Sequence, residues 1–93
     1  MNVDMYWGSG KMSVDADYLL EEMPIAVFRE WCKMFAVYGN SEQGMALSTY
    51  MIDRIIRKEK SVMGCSERYR PMEERKLRRY RKVHAILKDV LRL

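Results

Sequence analysis

The chain has 93 residues, of which 48% are hydrophobic and 32% charged, and a formal net charge of +4 at pH 7. This length and composition argue against a multidomain protein and against extended disorder. The charge is unevenly divided, since residues 1–50 hold three basic and seven acidic side chains and residues 51–93 hold fourteen and six. We therefore expect the second half to meet an anionic partner.

The cysteines and the histidine make a metal site improbable. Cys32 and Cys65 lie far apart, and His84 does not complete a metal-ligand spacing with them. We expect no metal, no cofactor and two reduced thiols in a cytoplasmic protein, with a disulfide as the alternative. No apolar run reaches the roughly 18 residues of a membrane span, and the N-terminus lacks the features of a signal peptide. The sequence therefore predicts no membrane association.

The first 13 residues are predicted to form an irregular arm. Gly8, Ser9 and Gly10 favour a turn over a helix. The apolar cluster around Tyr6 and Trp7 is expected to dock on the domain or on a partner. No β-strand is predicted here or elsewhere in the chain.

The first helix is predicted at residues 15–38, with an interruption at Pro24. Asp15 or Asp17 can cap its start, because a carboxylate accepts hydrogen bonds from the unpaired N–H groups of the first turn. Gly39 and the asparagine after it are predicted to end the helix. Apolar residues at three- and four-residue steps predict its buried face, namely Ile25, Phe28, Trp31, Cys32 and Phe35.

The second helix is predicted at residues 42–60, followed by a linker at 61–70. Tyr50, Arg54 and Arg57 gather on one side of this helix, within an arc of about 60°. The opposite side is predicted to be its apolar face, with Met45, Ile52, Ile55 and Ile56.

The third helix is predicted at residues 71–93. Pro71 suits a helix start, and Glu73 and Glu74 in the first turn suit the helix dipole. Its apolar stripe consists of Leu77, Tyr80, Val83, Leu87, Val90 and Leu91. Its other side carries Arg75, Arg78, Arg79 and Lys82. The sequence thus predicts an all-α, three-helix domain over 1–93, whose thin core favours a homodimer or docking on a partner.

Enzymatic function lacks the residues it would need. A nucleophile needs an activating base, but the only histidine, His84, sits beside Val83 on the apolar margin of the last helix. It is expected to be a partly buried packing residue. No glycine-rich phosphate loop follows a strand. We expect a protein that acts by binding.

A dense run of basic residues points to nucleic acid as the partner. Twelve of the basic side chains lie between Arg54 and Lys82, interleaved with Tyr50, Tyr69 and Tyr80. Lysine and arginine neutralise phosphates and release counterions, while tyrosine and arginine planes stack on bases. The alternatives are a solvated helix face and a surface for an acidic protein partner.

Residues 47–57 read Leu-Ser-Thr-Tyr-Met-Ile-Asp-Arg-Ile-Ile-Arg, so that a serine opens the helix and an Ile-x-Arg-Ile-x-Arg pattern closes it. This segment resembles the recognition helix of repressor-type helix-turn-helix proteins. The resemblance implies that Ile52 and Ile55 pack inward. The residues it implies to face DNA are Ser48, Thr49, Tyr50 and Arg54.

Residues 18–39 hold an apolar pair and a methionine at 19–23, a Phe-Arg-Glu-Trp step at 28–31 and a further aromatic residue at 35. This spacing resembles the short helical segment of tail-assembly chaperone and minor tail proteins of long-tailed phages. Members of that group bind other tail proteins, so the resemblance implies that Phe28, Trp31 and Phe35 face a partner. Ordinary core packing of the same aromatics is the alternative.

The leading hypothesis is a non-enzymatic regulator of bacterial or phage type that binds nucleic acid, with DNA favoured over RNA, through its basic second half. The alternative is a phage-type protein-interaction module, an inhibitor or a tail-assembly chaperone, that docks on a protein partner. The predicted nucleic-acid-binding residues are Ser48, Thr49, Tyr50, Arg54, Arg57, Arg75, Arg78, Arg79 and Lys82.

Overall fold

A computed structural model describes residues 1–93. The chain forms two strands and four helices: β1 (Asn2–Trp7), β2 (Gly10–Asp15), α1 (Ala16–Glu21), α2 (Ile25–Tyr38), α3 (Ser41–Gly64) and α4 (Arg70–Leu91). The prediction of a mostly helical chain is confirmed, but the absence of strands is wrong, because the N-terminal arm is a β-hairpin. The molecule is elongated, with extents of 51 × 21 × 21 Å.

The hairpin forms because two alternating segments flank a two-residue turn. Gly8 takes a φ of 54°, which a glycine adopts without steric cost. Val3 and Met5 point inward and are fully buried. The backbone N–H of Asp4 donates to the side-chain oxygen of Gln43 at 2.9 Å, which ties β1 to the start of α3. The arm is therefore an ordered part of the domain.

The first helical region is divided at Pro24. Asp15 caps α1 by accepting a hydrogen bond from the N–H of Asp17 at 3.0 Å, and α2 starts directly after Pro24. The rings of Phe28, Trp31 and Phe35 stack on one another in the core, where each side chain is buried. The partner-facing role that the phage-tail resemblance implies for them is therefore wrong.

The two long helices α3 and α4 run side by side as a helical hairpin. Helix α4 is the central element, since it packs against α1, α2 and α3. The connection between the two helices is only Cys65–Tyr69, so the first part of the predicted linker, 61–64, is helical. Ser61 stays in α3, and its hydroxyl donates to the carboxylate of Glu73 on α4. No residue from 52 to 76 is buried, so the far half of this hairpin extends beyond the core.

Helix α3 turns the opposite way to the prediction. Its buried residues are Leu47 and Met51, together with Gly44, whereas Ile52 and Ile56 are 43% and 46% exposed. The inward packing predicted for Ile52 is therefore wrong, and Ile55 is only half-buried. The same side of α3 also carries Ser48, Tyr50 and Arg54. Each of these polar side chains forms a hydrogen bond with a residue on another helix.

Candidate nucleic-acid interface

One exposed side of α4 presents three cations that make no ion pair. Arg75, Arg78 and Lys82 are exposed, and we call them the basic face. At 100° per residue they lie within an arc of about 60° and span about 10 Å of the helix axis. Helices α1, α2 and α3 pack against α4, and its buried residues Tyr80, Val83 and Leu87 lie outside this arc. A ligand can therefore reach the basic face from solvent.

Most other cations of the second half are also unpaired. Of the fourteen basic side chains in residues 51–93, four pair with carboxylates and one binds backbone carbonyls. Only three acidic side chains of the same segment are unpaired, Glu67, Glu74 and Asp89. The field around the hairpin is therefore positive and attracts anions. The nine unpaired cations are Lys60, Arg68, Arg70, Arg75, Lys76, Arg78, Lys82, Lys88 and Arg92.

The loop between α3 and α4 adds an aromatic side chain to this surface. Tyr69 is 51% exposed, and the guanidinium carbon of Arg68 lies 5.7 Å from the centre of its ring. An exposed tyrosine beside arginine is a surface on which an unpaired base stacks. The interleaved basic and aromatic residues of the sequence indicated this combination, although neither residue was predicted to bind.

Arg79, predicted to hold phosphate, instead bonds within the fold. Its guanidinium donates to the backbone oxygens of Leu20 at 2.8 Å and Met23 at 2.6 Å, and to that of Leu19 at 3.5 Å. These carbonyls lie at and just beyond the end of α1, where the last turn lacks partners within its own helix. Arg79 therefore fastens α1 to α4.

Tyr50 and Arg54, predicted to face DNA, lie between α3, α1 and α4. The Tyr50 hydroxyl donates to Asp17, and this hydrogen bond lowers the pKa of the carboxyl group. Arg54 donates to Asp17, to Glu21 at 3.2 Å and to the hydroxyl of Tyr80 at 3.3 Å. Burial, followed by the hydrogen bond to Glu21, raises the pKa of Tyr80 to about 12. The group is an interhelical network, and its two predicted site residues are only partly accessible.

The remaining predicted residues lie on α3. The hydroxyl of Ser48 is hydrogen-bonded to Nε2 of His84 at 3.1 Å, whereas Thr49 is exposed. Arg57 is exposed and pairs with Asp53 at 3.0 Å. The nine predicted residues thus do not form one site. The structure groups only Arg75, Arg78 and Lys82, and their binding to nucleic acid stays a prediction.

Comparison of the chain with protein-family models, curated proteins and solved structures gives no match. The functional assignment therefore depends on the side chains described above.

Other kinds of site find little support in the structure. No group of three or more histidine, cysteine or acidic side chains is placed to hold a metal ion. Cys32 and Cys65 are both free, and burial raises the pKa of the Cys32 thiol to about 12, so it is held in its unreactive form. His84 is half-buried, and burial, followed by the charge of Lys88, lowers its pKa. No helix combines the length and the apolar character that crossing a membrane requires.

Proposed function

We propose that the protein is a non-enzymatic nucleic-acid-binding protein, a regulator of bacterial or phage type, that holds the phosphate backbone on the basic face of α4. The observation that carries this proposal is the set of three exposed cations without carboxylate partners on one side of the central helix. We place the protein in the cytoplasm, where both free thiols stay reduced.

The basic face supports backbone binding because its charges are free and their helix is held in position. An arginine already paired with a carboxylate would have to break that pair before it bound phosphate, and Arg75, Arg78 and Lys82 have no such pair. The part of α4 that carries Arg78 and Lys82 is fastened to the core by the buried side chains of Tyr80 and Val83. Less conformational entropy is therefore lost when a ligand binds than would be lost on a disordered basic tail.

The same geometry favours contact with phosphates over reading of base edges. Tyr50 and Arg54, which would have read bases in a helix-turn-helix arrangement, are engaged with Asp17 and Glu21. Phosphate contacts carry no sequence information of their own. We therefore propose binding with little sequence preference. Duplex DNA is favoured over single-stranded RNA because Tyr69 is the only exposed tyrosine of the basic second half on which a base could stack.

The test is fluorescence anisotropy of labelled duplex DNA and of labelled single-stranded RNA with the purified protein at several salt concentrations. Counterion release makes the logarithm of the binding constant fall linearly with the logarithm of the salt concentration. Arg78→Gln and Lys82→Gln should each weaken binding to every sequence and reduce the salt slope by about 1.

Lys33→Gln is the matched control, because Lys33 is an exposed cation on α2 that already pairs with Glu30. It removes the same charge away from the basic face and should leave the salt slope unchanged. Affinity that does not vary with salt, or equal weakening by Lys33→Gln, would contradict the proposal.

Binding to a protein partner is the alternative function, and only one of the two surfaces predicted for it is available in the folded protein. Phe28, Trp31 and Phe35 are buried and cannot contact a partner in the folded protein. An acidic protein on the basic face remains as the alternative. It would be indicated if neither nucleic acid bound at low salt, while a pull-down that recovers acidic proteins lost them with Arg78→Gln.

A further inference from the structure

The solvent side of α3 carries an apolar stripe that is not part of the hydrophobic core. It consists of Met45, Ile52, Ile56 and Met63, which are 62%, 43%, 46% and 83% exposed. Met45 and Met63 are separated by about five helical turns and so lie on one line, and the two isoleucines deviate from that line by about 20° in opposite directions. The stripe is about 27 Å long and follows the helix axis.

The spacing of the stripe is the same in both directions. From either end of α3 the apolar residues follow one another after seven, four and seven positions, so the pattern is symmetric about residue 54. A two-fold symmetric interface requires such a self-complementary surface, in which residue i meets residue j and j meets i. A second copy running antiparallel would therefore place Met45 against Met63 and Ile52 against Ile56.

The charges beside the stripe leave the centre of this pairing without net charge. Asp53 and Arg57 lie beyond one side of the stripe and already form an ion pair at 3.0 Å within one chain. In the antiparallel pairing, Asp53 of one copy lies about 3 Å in height from both Asp53 and Arg57 of the other. The two aspartates and the two arginines cancel in charge, so dimer formation brings no net charge together.

The exposed area of the stripe is comparable with the apolar centre of a protein interface. The four side chains expose on the order of 400 Å² together, within the range at which an apolar patch on a monomer is often functional. A stable interface buries about 800 Å² per partner, so the polar residues on both sides of the stripe would supply the remainder. The gain would be largest in the far half of the hairpin, where residues 52–76 include no buried side chain.

We propose that the protein forms an antiparallel homodimer through α3, in which Met45 of each copy packs on Met63 of the other and Ile52 packs on Ile56. Dimer formation is independent of nucleic-acid binding, because the basic face lies on α4. The two basic faces would be related by the same two-fold axis.

The first test is sedimentation equilibrium of the full chain over about 1 to 100 μM, the range in which small interfaces dissociate. The wild type should show a reversible monomer–dimer equilibrium. Ile52→Glu and Ile56→Glu should each raise the dissociation constant at least about 100-fold, since each places two charges in the apolar interface. Circular dichroism should show an unchanged helical spectrum, because both side chains are solvent-exposed in the monomer.

Val37→Glu is the matched control. Val37 is 72% exposed on α2 and is not part of the stripe on α3, so the same change of side chain should leave the dimer intact. If either isoleucine variant loses helicity, Met45→Glu combined with Met63→Glu tests the same surface at its two most exposed positions.

The second test fixes the direction of pairing by disulfide formation in a Cys65→Ser background. Met45→Cys alone should not cross-link, because the two copies of residue 45 would lie about 27 Å apart. A mixture of Met45→Cys and Met63→Cys chains should cross-link between unlike copies. A monomeric wild type at 100 μM, a dimer unaffected by both isoleucine variants, or cross-linking of Met45→Cys with itself would each overturn the proposal.

Discussion

The guanidinium of Arg79 on α4 donates a 2.6 Å hydrogen bond to the backbone oxygen of Met23, 56 residues earlier in the chain. The same side chain also bonds the carbonyl of Leu20. One arginine of the basic helix thus serves the fold, while its neighbour Arg78 is free in solvent. Because one of these adjacent residues is bonded and the other is free, variants of the two distinguish an effect on stability from an effect on binding.

Replacement of Arg79 should destabilise the protein. Arg79→Gln removes a charged donor from carbonyls that have no other partner, so the free energy of unfolding should fall by about 1 to 3 kcal/mol. Arg78→Gln is the control and should change stability by less than about 0.5 kcal/mol. Urea unfolding followed by circular dichroism measures both. Equal losses in the two variants would show that the Arg79 contacts contribute nothing.

Stability should decrease as the pH falls below about 6.5. Burial and the charge of Lys88 lower the pKa of His84, so the unfolded chain binds a proton at a higher pH than the folded one. The stability associated with the neutral ring is therefore complete above the unfolded pKa of about 6.5 and is lost as the pH falls through the folded pKa. Urea unfolding at several pH values should detect this loss, and His84→Gln should abolish it.

The titration of His84 by NMR provides a direct check, since the chain has one histidine. A midpoint at or above 6.5 would contradict the pH prediction. The carboxyl groups affect stability at lower pH. Hydrogen bonds from Tyr50 and Lys58 lower the pKa values of Asp17 and Glu73, so their contribution is lost only as the pH falls below about 4.

The two thiols should differ sharply in reactivity. Cys32 is fully buried with a pKa of about 12, whereas Cys65 is half-buried at the end of α3. Iodoacetamide at pH 8 should therefore modify one thiol per native chain and two in urea. Only a thiolate that is accessible to the reagent reacts. Mass spectrometry counts the modifications. Native Cys65→Ser should stay unmodified, and rapid modification of this variant would show that Cys32 is accessible.

A methyl group at position 39 should not fit. A Cβ on Gly39 would lie 2.6 Å from the backbone oxygen of Phe35 and 2.5 Å from two carbons of its buried ring. Gly39→Ala should lower the free energy of unfolding by about 1 to 3 kcal/mol, the usual cost of overpacking. Gly64→Ala is the control, since no atom lies within 4 Å of the added group. It should be neutral or stabilise the helix by up to about 1 kcal/mol. Thermal unfolding compares the two variants.

Local signals in the sequence predicted much of the helical fold. Helix α2 begins after Pro24 and ends before Gly39, as predicted, because both residues act through the backbone at their own positions. The hairpin had a comparable signal, since Gly8 and Ser9 separate two alternating segments. It was missed because such a short pair of strands is stable only when Val3 and Met5 find a core, and that core comes from helices far along the chain.

The orientation of α3 could not be predicted from its periodicity. The helix has apolar residues on both sides, with Leu47 and Met51 on one and Ile52 and Ile56 on the other. The buried side also carries Arg54, and the acidic partners that let it lie there are on α1, 33 and 37 residues away. The positive charge of α4 was visible in the sequence, but the division of its arginines into bonded and free was not.

Because no residue from 52 to 76 is buried, the far half of the helical hairpin can open while the rest of the domain stays folded. Beyond the network of Arg54, it is held by the ion pair of Lys58 with Glu73 at 2.8 Å. Amide protons around these residues should therefore exchange with solvent through a local opening that needs less free energy than global unfolding. Arg75 lies on this opening segment and Lys82 on the packed one, so an anion that binds both would hold the segment closed and slow the exchange.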